Sequence, residues 1–117
     1  MYERHILGRN GEKVAADYLR KLGYTILAKN FVCKQGEIDI IAQDGEYIVF
    51  IEIKSRSNSN YGLPSEAVTE KKIKHILKTA QFFLYINGLE QANVRIDAIE
   101  VYIKHNKYVI NHLKQII

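Results

Sequence analysis

Three carboxylates and one lysine occupy alternate positions in two neighbouring segments that are rich in Ile, Val, Phe and Tyr. Glu37 and Asp39 lie in the first segment, and Glu52 and Lys54 lie in the second. Residues two apart in a β-strand point to the same face, so each segment would present its charged pair on one side. Carboxylate oxygens are ligands that suit Mg²⁺ or Mn²⁺. The four residues are therefore candidates for a metal site with an ammonium group beside it.

The two segments are predicted to form an antiparallel hairpin, because Asp44-Gly45 lies between them and this dipeptide is a strong hairpin signal. A symmetric turn at the dipeptide would bring the three carboxylates and Lys54 onto one face, near one end of the hairpin. The predicted cross-strand pairs are Glu37 with Glu52, Asp39 with Phe50, and Ile41 with Ile48. The opposite face is predicted to be apolar and consists of Ile38, Ile40, Val49, Ile51 and Ile53.

Like charges that face each other across a strand pair destabilise a sheet, so this arrangement needs a physical reason. Lys54 would offset one negative charge, and a divalent cation between Asp39 and Glu52 would offset the others. The alternative is a solvated outer face, on which Glu and Lys are common. Ile48 and Phe50 belong to the same face as Glu52, which indicates that the face is at least partly covered and favours the metal site.

The elements that must position this hairpin follow from periodicity and turn residues. Apolar residues at helical spacing predict a helix from Gly11 to Leu22, capped by Gly23, and a second helix from Glu66 to Ile86 that ends at Asn87-Gly88. Asn58–Ser65 is polar and is predicted to be a loop. The predicted strands are Tyr24–Phe31, Glu37–Ala42, Tyr47–Lys54, Val94–Ile103 and Tyr108–Leu113, with a turn at His105-Asn106 between the last two. This order predicts an α/β fold with a mixed sheet of about five strands flanked by helices.

Length and composition limit the class of protein. The chain has 117 residues, the size of one domain, and neither an apolar run of transmembrane length nor a signal peptide is recognisable. We therefore expect a single domain over residues 1–117, located in the cytoplasm and without a membrane partner. Cys33 is the only cysteine, which excludes an internal disulfide and a thiolate-rich zinc site. The net charge of +4 favours a polyanionic partner without establishing one.

The carboxylate hairpin resembles the core of the PD-(D/E)XK nucleases. This resemblance rests on Gly36-Glu37-Ile38-Asp39 and on Phe50-Ile51-Glu52-Ile53-Lys54-Ser55-Arg56. Further segments, which span nearly the whole chain, resemble the YraN-like family of small bacterial proteins. These are Gly11-Glu12 with Ala15, Leu19 with Gly23-Tyr24, the region of Asn30, Gly62 with Pro64, Ala67-Val68-Thr69, Lys72, and Arg95-Ile96-Asp97. The YraN-like family is itself similar to Holliday-junction resolvases and RecB-type nucleases, which implies a restriction-endonuclease-like fold.

The resemblance implies roles for individual residues of the hairpin. Asp39 and Glu52 match the metal-binding acids, and Lys54 matches the motif lysine, so these three are the predicted catalytic residues. The backbone carbonyl of Ile53 would be an additional metal ligand. Lys54 would orient the attacking water or stabilise charge on the phosphate.

Two further acids and three basic residues complete the predicted site. Glu12 matches the helix glutamate that often completes such metal sites, although an acid at this place is also favoured by the helix dipole alone. Glu37 belongs to the family's own motif and is a candidate metal ligand. Arg56 and Lys72 fall on motif positions and are predicted to contact nucleic-acid phosphates, and Arg9 would flank the same groove.

The implied activity is that of an endodeoxyribonuclease, in which Mg²⁺ or Mn²⁺ assists the hydrolysis of phosphodiester bonds. The implied substrate is branched or otherwise structured DNA. One alternative is a nucleic-acid-binding module that has the nuclease fold without catalysis, and another is a protein-interaction subunit whose charged face is structural. Resolvase-like enzymes commonly act as dimers, so a homodimer is considered, although the sequence reveals no self-complementary apolar patch.

Overall fold

The computed structural model describes residues 2–56 and 69–117, and it describes side chains from residue 10 to 55 and from residue 69 onward. The predicted order of helix, three strands, helix and two strands is confirmed. The elements are α1 (Tyr2–Lys21), β1 (Thr25–Cys33), β2 (Gly36–Asp44), β3 (Tyr47–Arg56), α2 (Glu70–Ile86), β4 (Asn93–Lys104) and β5 (Lys107–Leu113). The predicted loop at Asn58–Ser65 and residues 66–68 of the predicted second helix lie outside the described residues.

The ends of both helices follow local signals. α1 extends further toward the N-terminus than predicted, and after its last turn Gly23 adopts a φ of 94°, as expected for a left-handed cap. α2 starts later than predicted because Thr69 has extended backbone angles, and its hydroxyl accepts the Lys72 backbone N–H at 3.2 Å. The predicted end of α2 at Asn87-Gly88 is confirmed, with a φ of 66° at the glycine.

The five strands form one mixed sheet in the order β1-β2-β3-β4-β5. Only β3 and β4 are parallel, because α2 lies in the connection between them, and all other neighbours are antiparallel. We call the end at which β3 and β4 finish the upper end of the sheet. The β1–β2 and β4–β5 turns lie at this upper end, whereas the β2–β3 turn lies at the opposite, lower end.

The two helices cover opposite faces of the sheet, and alternate residues of β3 enter different cores. Val49 and Ile51 pack with Leu19 beneath α1. Phe50 packs with Phe83 beneath α2, with the two rings edge to face at 5.9 Å between centroids. No helix in these described ranges is long and apolar enough to cross a membrane.

Candidate functional site

The β2–β3 hairpin has a register that differs from the predicted one. The observed pairs include Asp44 with Tyr47, Ile41 with Phe50, and Ile40 with Ile51. The pairs predicted from a symmetric turn at Asp44-Gly45 are therefore wrong, namely Glu37 with Glu52, Asp39 with Phe50, and Ile41 with Ile48. Each residue of β2 faces β3 two positions later than predicted, and a shift of two preserves the alternation of faces. Continued past its last pair, the observed register brings Asp39 level with Glu52.

Turn chemistry and a distant ion pair explain this register. Gly45 is the first residue of the two-residue turn and has a φ of 58°, a conformation that glycine adopts at little cost. Asp44 was predicted to lie in the turn but stays in the strand ladder. Its carboxylate accepts a hydrogen bond from Arg95 Nη1 at 2.9 Å. Because Arg95 belongs to β4, the local sequence of the hairpin does not reveal this contact.

The carboxylate of Asp39 lies in the gap between β2 and β3. Regular pairing of the two strands ends at Ile40 and Ile51, and beyond it Asp39 Oδ2 accepts the backbone N–H of Ile53 at 2.7 Å. The side chain thus occupies the place of a backbone acceptor in the ladder. This hydrogen bond fixes the carboxylate toward the upper end of the sheet, beside β3.

The same level of the sheet is distorted in both β1 and β2. Asn30, which lies across from Asp39 between two regular pairs, has a φ of 52°. Phe31 and Ile38, which lie above the distortion, pack beneath α2, whereas Ile40, which lies below it, packs beneath α1. The predicted apolar face was therefore wrong at Ile38. At this break in alternation, Asp39 lies close enough to both helices for Glu12 of α1 and Lys72 of α2 to change its pKa.

Two glycines allow the helices to approach this point closely. A Cβ atom at Gly11 of α1 would overlap a side chain at the end of β3. At Gly36, where φ is 149°, a Cβ atom would lie 3.0 Å from the hydroxyl of Thr79 in α2. The close approach at Gly11 brings the neighbouring Glu12 near enough for its charge to raise the pKa of Asp39.

Glu52 is paired with a lysine that reaches it from α2. Lys72 Nζ lies 2.6 Å from Glu52 Oε1, and Glu52 is only 8% exposed. Burial would lower the pKa of Lys72, but its hydrogen bonds with Glu52 and Lys54 raise it above its usual value. Lys72 was predicted from the sequence as a phosphate contact, and the structure brings its side chain among the predicted catalytic residues. We call Asp39, Glu52, Lys54 and Lys72 the carboxylate site.

The sequence suggested Lys54 as the positive charge near the carboxylates, but the structure places Lys72 there as well. Its side chain is in hydrogen-bonding contact with that of Lys72. This hydrogen bond is the main reason that the pKa of Lys54 is lowered, and burial and the charge of Lys72 act in the same direction. Of the two lysines, Lys54 is therefore the one that more readily becomes a neutral amine.

Asp39 has the strongest perturbation among the acids of the site. Burial and the neighbouring charge of Glu52 raise its pKa from 3.8 to about 6. The hydrogen bond from Ile53 and the charge of Lys72 act in the opposite direction without cancelling the increase. The hydrogen bond from Ile53 and the charge of Lys72 therefore do not fully offset the effects of burial and of the Glu52 charge on Asp39.

An open cavity of about 350 Å³ lies between the upper part of β2 and β3 and the first turns of α2. Glu52 and Lys72 form part of its lining, and the exposed Glu37 lies at the start of β2 on the same cavity. Lys71 and His75 contribute further basic side chains from α2. A negatively charged group entering this cavity would therefore meet cations on the α2 side and carboxylates on the strand side.

The donor set fits a hard divalent cation. No three His, Cys, Asp or Glu side chains in the described part of the chain are grouped as a complete metal site. Mg²⁺, however, usually takes only one or two protein carboxylates and completes its coordination with water and substrate phosphate. Asp39 and Glu52 supply two carboxylates, and Ile53 would supply a backbone carbonyl. Glu12 and Glu37 stay predicted ligands.

The structure adds two residues near the site that the sequence did not single out. Glu100 is buried, and β4 holds it beside Lys54 in the parallel register. Strand alternation within β4 could have indicated its face, but not its neighbour. His75, an exposed residue of α2, also lines the cavity. The side chains of Arg9 and Arg56, predicted as phosphate contacts, lie outside the described residues.

Comparisons with known proteins place this chain among bacterial relatives of similar length. The model of the uncharacterised protein family UPF0102 matches residues 11–101. A UPF0102 protein of Carboxydothermus hydrogenoformans is 42% identical over 114 residues, which cover 97% of each chain. One from Caldanaerobacter subterraneus subsp. tengcongensis is 47% identical, covering 95% of this chain and 91% of its own length. One from Clostridium acetobutylicum is 49% identical over 84% of this chain and 80% of its own.

Proposed function

The chain belongs to the uncharacterised protein family UPF0102, and from the chemistry of its carboxylate site we propose that it is a metal-dependent nuclease. The proposed reaction is the hydrolysis of phosphodiester bonds in branched or otherwise structured DNA. The observation that carries the proposal is the Asp39 carboxylate, held between two strands beside Glu52 with a pKa raised to about 6. Two crowded, partly buried acids of this kind favour the binding of an additional cation.

Asp39, Glu52 and the carbonyl of Ile53 are the groups that would hold Mg²⁺ or Mn²⁺. Bound there, the ion would supply Lewis-acid activation of a phosphoryl oxygen and of a water molecule. The Ile53 N–H fixes one oxygen of Asp39, and no described residue donates a hydrogen bond to the other oxygen. The orientation of this ligand is therefore set by the backbone before any ion binds.

The two lysines of the site are proposed to do different work. Lys72 stays charged and holds the buried carboxylate of Glu52 in position through its 2.6 Å ion pair. Lys54 has the lowered pKa, so it is suited to orient the attacking water or to stabilise charge on the phosphate. Lys71 and His75 lie on the cavity wall at which a phosphate would arrive.

A cleavage assay tests the proposal directly. Linear, flapped and four-way DNA are incubated with the protein in Mg²⁺, in Mn²⁺ or in EDTA, and the products are separated on denaturing gels. We expect metal-dependent cleavage that is strongest on a branched substrate. Asp39→Asn, Glu52→Gln and Lys54→Met should each reduce cleavage at least about a hundredfold, while binding of the DNA in EDTA persists.

Glu46→Gln is the matched control for these substitutions. Glu46 is an exposed acid in the β2–β3 turn, at the lower end of the sheet and away from the carboxylate site. Its replacement should leave cleavage unchanged. Cleavage by the parent that persists in Asp39→Asn would show a contaminating nuclease and contradict the proposal.

The second candidate function is a nucleic-acid-binding module that has this fold without catalysis. The observation that favours it is the ion pair with Lys72, which already occupies one oxygen of Glu52. Such a module would bind the same DNA substrates in a salt-dependent way but would leave every one of them intact in Mg²⁺ and Mn²⁺. The same gels, read beside a binding titration, distinguish the two functions.

A further inference from the structure

The turn between β4 and β5 carries a concentration of basic side chains at the upper end of the sheet. Lys104 and Lys107 are directly paired across this hairpin, and His105 lies in the turn between them. All three side chains are exposed. No residue in the described ranges forms an ion pair with any of them. We call Lys104, His105, Asn106 and Lys107 the hairpin tip.

The hairpin tip is unfavourable for the stability of the isolated protein. Like charges that are directly opposed in an antiparallel pair destabilise the sheet. The two turn residues, His105 and Asn106, have φ values of 50° and 61°, the left-handed conformation of a tight two-residue hairpin turn, which His and Asn adopt more readily than most residues. The local sequence thus holds two ammonium groups close together on a tight turn.

The position of the tip relates it to the carboxylate site. β4 runs parallel to β3, and Glu52 is in register with Ala98, so Lys104 lies six residues further along β4. At about 3.3 Å per residue, the tip lies roughly 20 Å beyond the level of Glu52. The last β3–β4 pair joins Arg56 and Tyr102, so the tip projects past the end of β3.

One step before the tip, a more apolar pair is exposed to solvent. Ile103 and Tyr108 are paired, and they are 40% and 41% exposed. Because neighbouring residues of a strand point to opposite faces, Ile103 and Tyr108 lie on the other face of the sheet from Lys104 and Lys107. Lysine side chains on a turn read the charge of a backbone and not the identity of its bases.

We propose that the hairpin tip is a second nucleic-acid contact, which grips the phosphate backbone at a distance from the carboxylate site. This inference rests on the proposed function, since it makes the carboxylate site the place of cleavage. A span of about 20 Å corresponds to roughly six nucleotides along one strand at 3.4 Å per nucleotide. The tip therefore engages DNA that flanks the cleaved bond, and short substrates do not reach it.

Binding measurements on a charge-removing double variant test this inference. Lys104→Gln/Lys107→Gln is compared with the parent and with Lys21→Gln/Lys29→Gln, which removes the same charge at two exposed positions, one at the end of α1 and one in β1, at the opposite edge of the sheet from β5. Affinity for a fluorescent long duplex and a four-way junction is measured by anisotropy in EDTA over a salt series. We expect the tip variant to bind on the order of tenfold more weakly. The slope of log affinity against log salt should become shallower by up to about 1.8 for two lost phosphate contacts.

The control should retain most of the parent's affinity, and substrates too short to reach the tip should bind the tip variant and the parent equally. The tip variant should melt no lower than the parent, because a repulsive pair has been removed. Equal losses in the tip variant and the control would overturn the inference, as would parental affinity in the tip variant. These outcomes are separate from cleavage: a parent that cuts nothing in Mg²⁺ or Mn²⁺ contradicts the nuclease, while the binding data still decide the role of the tip.

Discussion

Two clusters of charged residues lie on opposite faces of the same sheet, and they differ in how completely their buried acids are hydrogen-bonded. The first is the carboxylate site at the upper end. The second, which we call the arginine cluster, lies on the α1 side toward the lower end and consists of Arg95, Asp97, Asp44, Tyr24 and His112. Both contain acids removed from solvent, but the pKa of Asp97 in the arginine cluster is lowered, whereas the pKa of Asp39 in the carboxylate site is raised.

Asp97 in the arginine cluster is fully buried and fully hydrogen-bonded. It accepts bonds from Arg95 Nε at 2.9 Å and Nη2 at 3.1 Å, from His112 Nε2 at 2.8 Å, and from the backbone N–H of Gln115 at 2.9 Å. Burial alone would raise the pKa of Asp97, but the bonds from His112 and Arg95 bring it below its usual value. Arg95 is further held by Asp44 and by the hydroxyl of Tyr24 at 2.6 Å.

Asp39 in the carboxylate site shows the reverse balance. It receives one backbone hydrogen bond, burial and the charge of another acid, Glu52, have the largest effects on its pKa, and that pKa is raised. The comparison teaches that burial by itself does not mark a functional acid. In the arginine cluster Asp97 accepts four hydrogen bonds, whereas in the carboxylate site Asp39 accepts one, and Glu52 of that site lines an open cavity.

The largest expected effect comes from disrupting the arginine cluster. Arg95→Met should lower the free energy of unfolding by about 3–5 kcal/mol, because it removes the guanidinium charge and its two hydrogen bonds from the buried Asp97, which keeps only those from His112 and the Gln115 N–H. Urea unfolding followed by circular dichroism measures this change. Arg20→Met is the control, since Arg20 forms only an exposed ion pair with Asp17 at 3.3 Å and should change stability by less than about 0.5 kcal/mol. Similar losses in the two variants would show that the cluster is not the stabilising element.

The next effect separates the two lysines of the carboxylate site. Lys72→Met should destabilise the protein by about 1–2 kcal/mol, because it leaves the buried Glu52 without its partner. Lys54→Met should stay within about 0.5 kcal/mol of the parent, because it removes a like charge beside Lys72 as well as an attraction to the acids. Urea unfolding of both variants at neutral pH checks this. A greater loss of stability in Lys54→Met than in Lys72→Met would show that Lys54 is the main counter-charge of the two acids.

Divalent metal should stabilise the carboxylate site and not the arginine cluster. At ten times the dissociation constant, Mg²⁺ or Mn²⁺ should add about 1.4 kcal/mol to the folded state of the parent by mass action. The increase in Tm should nearly vanish in Asp39→Asn and should persist in Glu46→Gln, an exposed acid outside both clusters. Thermal melts with and without each metal measure it. Equal increases in all three proteins would indicate a nonspecific effect of the ion.

The smallest effect concerns pH in the metal-free protein. The folded-state pKa of Asp39, about 6, lies above its ordinary value of 3.8, so the folded state binds the proton more tightly than the unfolded state. Its contribution to stability is therefore lost as pH rises through this range. Asp39→Asn removes this loss and can still accept the Ile53 N–H through its amide oxygen. The variant should be more stable than the parent by about 1 kcal/mol above pH 6, with the advantage fading below about pH 4.

Unfolding at a series of pH values, with metal removed by EDTA, measures this difference. An Asp39→Asn variant that is less stable than the parent at neutral pH would mean that the carboxylate serves the fold through its hydrogen bond. Asp39 would then stabilise the fold as Asp97 does, and the two clusters would no longer differ in this respect.

The order and type of the elements could be predicted from the sequence because they depend on local chemistry. Helical spacing of apolar residues identified α2, and Gly23, Asn87-Gly88 and His105-Asn106 end elements in backbone conformations suited to those residues. Strand alternation placed Glu52 and Lys54 on a shared face, which a register shift of two does not alter. The acids and the lysine of the carboxylate site could therefore be chosen from the sequence alone.

The register and the charge balance of the site were decided only by the tertiary structure. Asp44 stays in the strand because Arg95, from β4, binds it, and the resulting register differs from the predicted one by two residues. Lys72 reaches Glu52 because α2 crosses the sheet face at that point. Contacts between segments far apart in sequence depend on how helices and strands pack, and no local pattern encodes them. The sequence by itself determined which strand residues, Glu52 and Lys54, share a face, and packing determined that Lys72 joins them and which charges are paired.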